Sequence, residues 1–347
     1  MAKSFKFEVT KCMMTCAGLL FQAWLIASVG LDSLPVLSKR IEETPSRMIH
    51  LLLWTHVYPD DVLEKINNYK CLVVMNCHVT TNKTLLGNIT NFDALLYGIS
   101  AFYEDQSRIL PMSRTRSQIY VFFGHESSNY YPALKQYDDF FNTSFSYKLN
   151  SDLYGGFVII KNSNGEIIGP RKIMHWMRYE DMLPINDTIK TKLANKKVAA
   201  AWFVSNCTPR NKRNSVFKLI KQEMLKYGMT VDVYGGCGDK SCPRNIMDDC
   251  WKLIETDYYF YFAFENAMGE DYVTEKPLHA LNHYAIPVVY GGANYTRYND
   301  FFKWHNHYSY AMRKKSDSVC ELCNYVKRME VEVESKVIRD FVNWWKP

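Results

Sequence analysis

The chain has 347 residues, of which 47% are hydrophobic and 15% aromatic, so it is long enough for two ordinary domains and is neither disordered nor fibrous. The 42 basic and 36 acidic residues leave a formal charge of +6, which is too balanced for a nucleic-acid coat or a polybasic membrane clamp, and we expect no nucleic-acid partner. The small basic excess suits an anionic small substrate as well as it suits an ordinary solvated surface.

An uncharged apolar stretch, CMMTCAGLLFQAWLIASVGL, occupies residues 12–31. Its length is close to the roughly 20 residues that a helix needs to cross a bilayer, so we predict a cytosolic tail at 1–11 and a transmembrane signal anchor at 12–31. The lysines of the tail outnumber its one glutamate, which predicts type II topology with the body of the protein in the lumen. A cleaved signal peptide, cut near Ala27 and Ser28, is the alternative.

Asn-X-Ser/Thr sequons recur along the body of the chain. They are acceptors for N-glycosylation in a secreted or luminal protein, although chance supplies some sequons in any chain. The candidate glycosylation sites are Asn82, Asn88, Asn142, Asn186 and Asn294, and a further sequon begins at Asn206.

Cysteine usage also favours an oxidising compartment, because an even number of cysteines lies beyond residue 31. These disulfide candidates are Cys71, Cys77, Cys207, Cys237, Cys242, Cys250, Cys320 and Cys323. The C-x-x-C spacing of Cys320 and Cys323 also occurs in zinc sites, but a second motif of that spacing is missing. We therefore expect disulfides rather than a metal site, and the sequence leaves their connectivity open.

The first half of the body predicts buried strands. Residues 32–47 are polar, contain proline and predict a short stem. Apolar runs bounded by turn-prone residues follow, and the predicted strands are 48–55, 71–75, 92–97 and 118–123,. Residues 150–184 are rich in glycine and predict loops, with an inter-domain boundary near 175–195.

The second half alternates between strand and helix patterns. The predicted strands are 198–205, 230–234, 258–264 and 286–290, and the predicted helices are 211–227 and a second that begins near 274. This alternation predicts a parallel sheet, with ligands bound at the carboxyl ends of its strands. We predict an α/β protein with two Rossmann-like domains facing a cleft, at 48–185 and 195–305, followed by a C-terminal segment at 306–347.

Polar residues between two predicted strands form the sharpest chemical motif, FAFENAMGEDYVTEKP at 262–277. Thr274 is suited to cap the helix that begins there, and Pro277 fits a first helical turn. A helix N-terminus beside Lys276 can bind an anion. A capped helix with surface charges would give the same pattern.

Two blocks of the second half resemble the signatures of the α-1,3-fucosyltransferase family, glycosyltransferase family 10. The first is Phe264-Glu265-Asn266 with the D-Y-V-T-E-K run at 271–276 and the P-V-V strand after it. The second is the A-W-F-V-S-N-C run at 201–207, with Arg213 beyond it and V-D-V-Y-G-G-C-G at 231–238. The motif style is closest to invertebrate and plant members.

The resemblance implies a GT-B fold in which the C-terminal domain binds GDP-fucose. It assigns Arg213 and Lys276 to the diphosphate, and Tyr272 and Glu275 to hydroxyls of the donor. Two cations in such positions would stabilise the charge that grows on departing GDP. Glu265 and Asn266 are weaker donor-site candidates, because they can equally brace the loop.

A catalytic base is implied in the first half. The run Y-V-F-F-G-H-E-S at 120–127 resembles the family's strand that ends in N-F-E-S, which nominates Glu126, and the F-N-T-S-F-S-Y run at 141–147 with Ser151-Asp152 supports this alignment. A free glutamate has a pKa near ~4.3, so burial must raise it. His125 stands where the family has phenylalanine and is a rival base.

The resemblance therefore implies inverting transfer of fucose from GDP-fucose, in α-1,3 linkage, to GlcNAc of a glycoprotein glycan by a single-pass Golgi enzyme. The acceptor is the N-glycan core or a lactosamine, and the motif style favours the core. In relatives, the closing C-x-x-C, here Cys320 and Cys323, is disulfide-bonded to the N-terminal domain, with Cys71 and Cys77 as potential partners. The alternatives are an inactive membrane-anchored lectin or scaffold of the same fold, and a GT-B transferase for another nucleotide sugar.

We predict that the reaction requires no metal and no cofactor beyond the donor substrate, because the chain contains no D-x-D motif and protein cations can hold a diphosphate. Fucose transfer should keep its rate when the protein is assayed in EDTA. Loss of transfer in EDTA, with recovery on adding Mn²⁺, would contradict the prediction.

Overall fold

The structure is a computed structural model. It describes residues 47–55, 60–68, 76–99, 111, 113–133, 135–298, 307–329 and 336–347. The predicted tail, the anchor at 12–31 and nearly all of the stem lie outside the described residues, as does the predicted strand 71–75. Over the part that is described, no helix combines the length and the apolar character needed to cross a membrane.

Strands and helices alternate along most of the described chain. The elements up to residue 169 are β1 Ile49–Leu53, α1 Asp60–Asn67, β2 Cys77–Thr80, β3 Ala94–Gly98, β4 Ile119–Gly124, β5 Thr143–Ser146, β6 Leu153–Tyr154, β7 Val158–Asn162 and β8 Ile167–Gly169. Those that follow are α2 Asp187–Ala194, β9 Val198–Phe203, α3 Arg213–Leu225, β10 Val231–Tyr234, α4 Met247–Asp257, β11 Tyr258–Phe264, α5 Lys276–Asn282, β12 Ile286–Tyr290, β13 Tyr308–Met312, α6 Lys315–Met329 and α7 Phe341–Trp344.

The first half of the described chain forms a parallel sheet with the strand order β2-β1-β3-β4-β5-β6. Every residue of β3 and β4 is buried. A parallel strand that is covered on both faces consists almost wholly of apolar residues, which is why these segments appear in the sequence as unbroken apolar runs. The strand Cys77–Thr80 was not predicted, because its four residues C-H-V-T show no such run.

The second half forms another parallel sheet, with the order β10-β9-β11-β12. Its four strands lie where the sequence predicts them, and the predicted helix 211–227 is found at Arg213–Leu225. The α/β class with parallel sheets is thereby confirmed. Parallel strands place their carboxyl ends at one edge of a sheet, so the segments after β9 and β11 lie side by side.

A small antiparallel sheet, β13-β7-β8, links the two halves of the sequence. Its strands β7 and β8 lie within 150–184, which the sequence predicts as loops, so that prediction is wrong in part. The glycines do mark turns, since Gly165 between β7 and β8 has a φ of +80°, a region that residues with a Cβ rarely adopt.

The C-terminal segment returns to the first half. Leu322 and Val326 of α6 belong to the apolar core of the first sheet, together with Leu51 of β1. Farther on, the Trp345 side chain is fully buried, its ring centroid lies 4.6 Å from that of Phe122, and its indole N–H donates to the backbone carbonyl of Tyr131 at 2.7 Å. Arg47–Pro347 forms one compact unit.

The expectation of a disulfide-bonded protein is confirmed. Bridges join Cys77 to Cys323, Cys207 to Cys237 and Cys242 to Cys250. Cys320 is disulfide-bonded as well, and Cys71 lies outside the described residues. Because Cys323 is bonded to Cys77, the zinc alternative for the C-x-x-C pair is wrong.

The glycosylation candidate Asn142 is contradicted by the structure. Its side chain is buried, its Nδ2 donates to the Lys336 carbonyl at 2.8 Å, and its Oδ1 accepts the backbone N–H of Tyr120 at 2.8 Å. A glycan on Nδ2 would break these contacts and would need space inside the protein. The sequon asparagines Asn82, Asn88, Asn186, Asn206 and Asn294 are all exposed.

The burial of Trp345 predicts that the C-terminal segment stabilises the first half. Trp345→Ala should lower the free energy of unfolding by about 3–5 kcal/mol, because it removes a large buried ring and leaves a cavity. Urea denaturation of the purified protein measures this change. The control is Tyr227→Ala, an aromatic that is 70% exposed, for which we expect a change within about 0.5 kcal/mol; a similar small change for both variants would contradict the prediction.

Candidate active site

The nominated catalytic and donor-binding residues come from both parallel sheets and meet at the carboxyl ends of their strands. Glu126 lies two residues after β4, Glu265 directly follows β11, and Lys276 begins α5. The phenol of Tyr272, in the loop between β11 and α5, donates a hydrogen bond to Oε2 of Glu126 at 3.2 Å. The structure therefore brings the nominated base and the D-Y-V-T-E-K segment into contact.

Glu265 is fully buried and organises that segment. Its Oε1 accepts the backbone N–H of Thr274 at 2.8 Å, and the Thr274 hydroxyl lies 3.0 Å and 2.9 Å from the two carboxylate oxygens. The ammonium of Lys276 donates to Oε2 at 3.0 Å. A buried carboxylate needs such partners, because the charged form is otherwise strongly disfavoured.

The predicted helix cap at Thr274 is wrong. The helix α5 begins at Lys276, its N-cap residue is Glu275, and no side chain caps it. The hydroxyl of Thr274 is used by Glu265 instead, so the tertiary partner has replaced the local one. With seven residues, α5 is short, and its first residue is the cationic Lys276.

Lys276 is held between two carboxylates, with Glu265 at 3.0 Å and Glu275 at 3.4 Å. Burial alone would lower its pKa, but the two carboxylates outweigh burial and raise the pKa of Lys276 above its ordinary value. Burial would likewise raise the pKa of Glu275, and the Lys276 ammonium lowers it instead. Lys276 therefore stays charged at neutral pH, and its side chain is still 20% exposed.

Arg213 is almost fully buried at the start of α3. Its two terminal nitrogens donate to the carbonyl of Phe264 at 3.0 Å and to the carbonyl of Asn206 at 2.8 Å. These contacts tie the end of β11 to the loop after β9. Burial lowers the pKa of the guanidinium, and its Nε is buried without a partner among the described residues.

The environment of Glu126 makes its carboxylate more basic than that of a solvated glutamate. Glu126 is half-buried, and burial raises the pKa of its carboxyl above the ordinary value, while the Tyr272 phenol and the Lys276 ammonium oppose the rise. A carboxylate with a raised pKa accepts a proton more readily than a solvated one.

His125 occupies a different environment from its neighbour. Its ring stacks on Phe123 with a centroid distance of 4.5 Å, and its Nε2 is buried without a hydrogen-bond partner among the described residues. Burial, followed by the charges of Lys315 and Arg313, lowers the pKa of His125 to about 4. An imidazole of that pKa is a weak base at neutral pH, which favours Glu126 over His125.

Asn266 faces the same region from the second half. Its side-chain Oδ1 is buried and has no partner in the described part of the chain, and its backbone carbonyl accepts the phenol of Tyr130 at 3.3 Å. The same phenol oxygen accepts a hydrogen bond from the side-chain amide of Asn206 at 3.2 Å. Tyr130, which follows β4 of the first sheet, thus contacts two loops of the second sheet. No pattern in the sequence indicated this role.

Asp271 is a second residue whose role the sequence did not reveal. It is buried, and its carboxylate accepts the backbone N–H of Leu149 at 3.0 Å and pairs with Arg297 at 2.5 Å. Its φ of +62° lies in the left-handed region, which aspartate tolerates better than most residues. The position of Asp271 at the start of the D-Y-V-T-E-K motif was the one indication in the sequence that it matters. Its partner in the first half, the backbone of Leu149, could not be predicted from the sequence.

Comparisons with known proteins agree with the sequence motifs. A family model described as "Fucosyltransferase, N-terminal" matches residues 46–157, and one described as "Glycosyltransferase family 10 (fucosyltransferase) C-term" matches residues 193–297. A solved structure described as an alpha1,3-fucosyltransferase with GDP covers 83% of this chain and 80% of its own, at 16% identity and a TM-score of 0.41.

Among characterised relatives, Drosophila melanogaster alpha-(1,3)-fucosyltransferase C is 27% identical over 85% of this chain and 77% of its own length. Drosophila glycoprotein 3-alpha-L-fucosyltransferase A is 29% identical over 49% of this chain, and the match spans only 39% of that relative. The human 4-galactosyl-N-acetylglucosaminide 3-alpha-L-fucosyltransferase FUT6 is 29% identical over 74% of this chain and 64% of its own length.

The buried pair of Glu265 and Lys276 predicts a measurable loss of stability when one charge is removed. Glu265→Gln should lower the free energy of unfolding by about 3 kcal/mol, because it leaves the Lys276 ammonium without its buried counter-charge and disturbs the bonds to Thr274. Urea denaturation reports the loss. Glu223→Gln removes the partner of an exposed lysine, Lys226, at 2.6 Å and should change stability by less than about 0.5 kcal/mol; equal effects of the two variants would rule out the organising role of Glu265.

Proposed function

We propose, from the premise that the chain belongs to glycosyltransferase family 10, the fucosyltransferases, that it transfers fucose from GDP-fucose to a hydroxyl of a glycan. The observation that carries the proposal is the contact between the half-buried Glu126 of the first half and Tyr272 of the second. It places a carboxylate with a raised pKa beside the segment that the family signature assigns to the donor. That is the arrangement an acceptor base next to a nucleotide sugar requires.

The chemical step is a single displacement. The acceptor oxygen attacks the anomeric carbon of fucose, the bond from that carbon to the β-phosphate oxygen breaks, and the acceptor proton passes to Glu126. Direct attack of this kind inverts the donor's β linkage to α. The resulting α-1,3 linkage to GlcNAc is part of the proposal, and relatives named as α-1,3-fucosyltransferases support it.

Charge on the departing GDP is stabilised by the cations of the second half. Lys276 is kept protonated by its carboxylate neighbours and is still partly exposed, so it can meet the diphosphate as a point charge. Arg213 contributes its positive charge from a buried position and fixes the loops after β9 and β11. Glu275 and Tyr272 remain candidates for donor hydroxyls, with Asn266 at the same edge.

The fold completes the proposal. The two parallel sheets support a GT-B arrangement, with the acceptor bound by the first half and the donor by the second.

The apolar stretch 12–31 serves as a type II anchor that holds the protein in the Golgi membrane with its body in the lumen, and the exposed sequons carry the glycans. The bridges of Cys77, Cys207 and Cys242 support an oxidising lumen,.

The acceptor is either the GlcNAc of the N-glycan core or a peripheral lactosamine. The similarity of the sequence motifs to those of invertebrate and plant members favours the core. An inactive lectin or scaffold would bind sugar without transferring it. A transferase for another nucleotide sugar would prefer a different donor when GDP-fucose and its competitors are offered together.

The experiment that tests the proposal is fucose transfer by the purified protein and its Glu126→Gln variant, with both acceptors supplied. The variant keeps the shape of the side chain but removes its basicity, so we expect kcat to fall by about 10²–10⁴-fold while GDP still binds. Glu180→Gln, at an exposed carboxylate, is the matched control and should keep the wild-type rate. Transfer by Glu126→Gln at more than a tenth of that rate would remove Glu126 as the base, and a wild-type protein that binds GDP-fucose without transferring it would favour the lectin.

A further inference from the structure

Tyr272 is held in place by residues of both halves. Its ring is 2% exposed and makes an edge contact with Tyr147, with centroids 5.0 Å apart. Its backbone N–H donates to the carbonyl of Gly269 at 3.1 Å. The preceding residue, Asp271, is fixed by the Leu149 backbone and by Arg297. The position of the Tyr272 phenol is therefore set before any substrate binds.

The same ring that contacts Tyr272 also fixes the turn after Glu126. The Tyr147 hydroxyl accepts the backbone N–H of Ser128 at 2.9 Å and donates to the Ser128 hydroxyl at 3.3 Å. Tyr147 is itself fully buried and lies 5.4 Å, centroid to centroid, from Trp345. The Tyr147 ring thus contacts Tyr272 and also holds the turn that follows Glu126.

Among the described residues, one oxygen of Glu126 has a hydrogen-bond partner. Its Oε2 accepts the Tyr272 phenol, and no described residue donates to Oε1. A hydrogen bond at one oxygen restricts rotation about the last torsion of the side chain, and it thereby restricts the direction of the other oxygen. An acceptor hydroxyl needs such a fixed proton acceptor within hydrogen-bond distance.

We propose that Tyr272 is a positioning residue for the catalytic base: its phenol holds Oε2 of Glu126 so that Oε1 faces the acceptor hydroxyl. This inference rests on the proposed transferase function and adds a role to the donor contact that the family resemblance gives this tyrosine. It also couples the two halves, because a residue in the proposed donor-binding loop of the second sheet orients the carboxylate of the base in the first.

The phenol acts on the protonation of Glu126 as well as on its geometry. Burial raises the pKa of Tyr272 well above its ordinary value, so the phenol stays protonated and remains a donor throughout the working range. Its hydrogen bond favours the ionised carboxylate. The other charges that act on Glu126 are Lys276, which lowers its pKa, and Glu275 and Glu265, which raise it; they remain when the phenol is removed.

The test is Tyr272→Phe, which keeps the buried ring and removes only the hydroxyl. Loss of the hydrogen bond raises the pKa of Glu126, and since transfer needs the ionised form, the acidic limb of the rate profile should move to higher pH by about one unit. At the pH plateau kcat should remain about tenfold lower, because the carboxylate is no longer oriented. Loss of the donor contact would appear separately, as a rise in the dissociation constant for GDP-fucose, and that rise by itself moves neither the acidic limb nor the plateau kcat.

Tyr258→Phe is the matched control. Tyr258 is another buried tyrosine whose hydroxyl donates to a carboxylate, that of Asp232, at 2.6 Å. Tyr258 begins β11, at the opposite end of that strand from Glu265. Tyr258→Phe should therefore keep the wild-type kcat and the wild-type position of the acidic limb of the rate profile.

Replacing Tyr272 with 3-fluorotyrosine provides a second variant that keeps the hydroxyl and nearly the same shape. Its more acidic phenol is a stronger donor, so the acidic limb should move to lower pH, and this variant decides the question if Tyr272→Phe does not fold. An unmoved limb in the folded variants, or a loss that lies only in donor affinity, would overturn the inference and leave Tyr272 as a donor contact. A wild-type protein that transfers no fucose would instead refute the proposed function, so the two failures are distinguishable.

Discussion

The buried carboxylate of Glu265 is the constraint on which the site depends. An ionised group that is fully removed from water must be neutralised and hydrogen-bonded, and the groups that do this, Thr274 and Lys276, lie 9 and 11 residues farther along the chain. The loop between β11 and α5 therefore has to fold back over the end of its own strand. That return places Tyr272 against the first half and keeps the Lys276 ammonium charged at the edge of the site.

Several contacts then fix the two halves relative to each other at this loop. Asp271 accepts a backbone N–H from the first half, and Tyr130 of the first half donates to the Asn266 carbonyl of the second. The buried ammonium of Lys148 donates to the carbonyls of Trp344 and Lys346 at 2.8 Å and 2.6 Å, so the C-terminal segment joins the same network. The proposed base and the proposed donor site come from different sheets and need this kind of support, because errors of well under an ångström in their separation already weaken catalysis.

Burial acts in opposite directions on two neighbouring residues of this site. It raises the pKa of Glu126, whose charged form is the deprotonated one, and it lowers the pKa of His125, whose charged form is the protonated one,. One environment thus turns a weakly basic carboxylate into a better base and leaves an ordinarily basic imidazole neutral. The sequence offered both as candidates, and the difference between them arises from what surrounds each side chain.

The sequence by itself determined the features that depend on local pattern. The strands of the second sheet, from Val198 to Tyr290, were predicted because buried parallel strands consist mostly of apolar residues, and the motif at 264–276 indicated the family. An even count of cysteines in the body predicted disulfides but not their pairs. Short or polar segments escaped prediction, as at Cys77–Thr80 and at β7 and β8, because four or five residues with few apolar side chains carry little periodic signal.

Only the tertiary structure decided which groups meet. Thr274 bonds a buried glutamate instead of capping its helix, Asn142 is enclosed by a strand and by Lys336, and the Tyr272 phenol reaches a carboxylate 146 residues away. Glu265 lies only nine residues from Thr274, whereas the contacts of Asn142 with Lys336 and of Tyr272 with Glu126 join residues that are remote in sequence. Hydrogen bonds of that kind depend on how two sheets are placed against each other, and that placement is a sum over many long-range contacts that no short stretch of sequence contains.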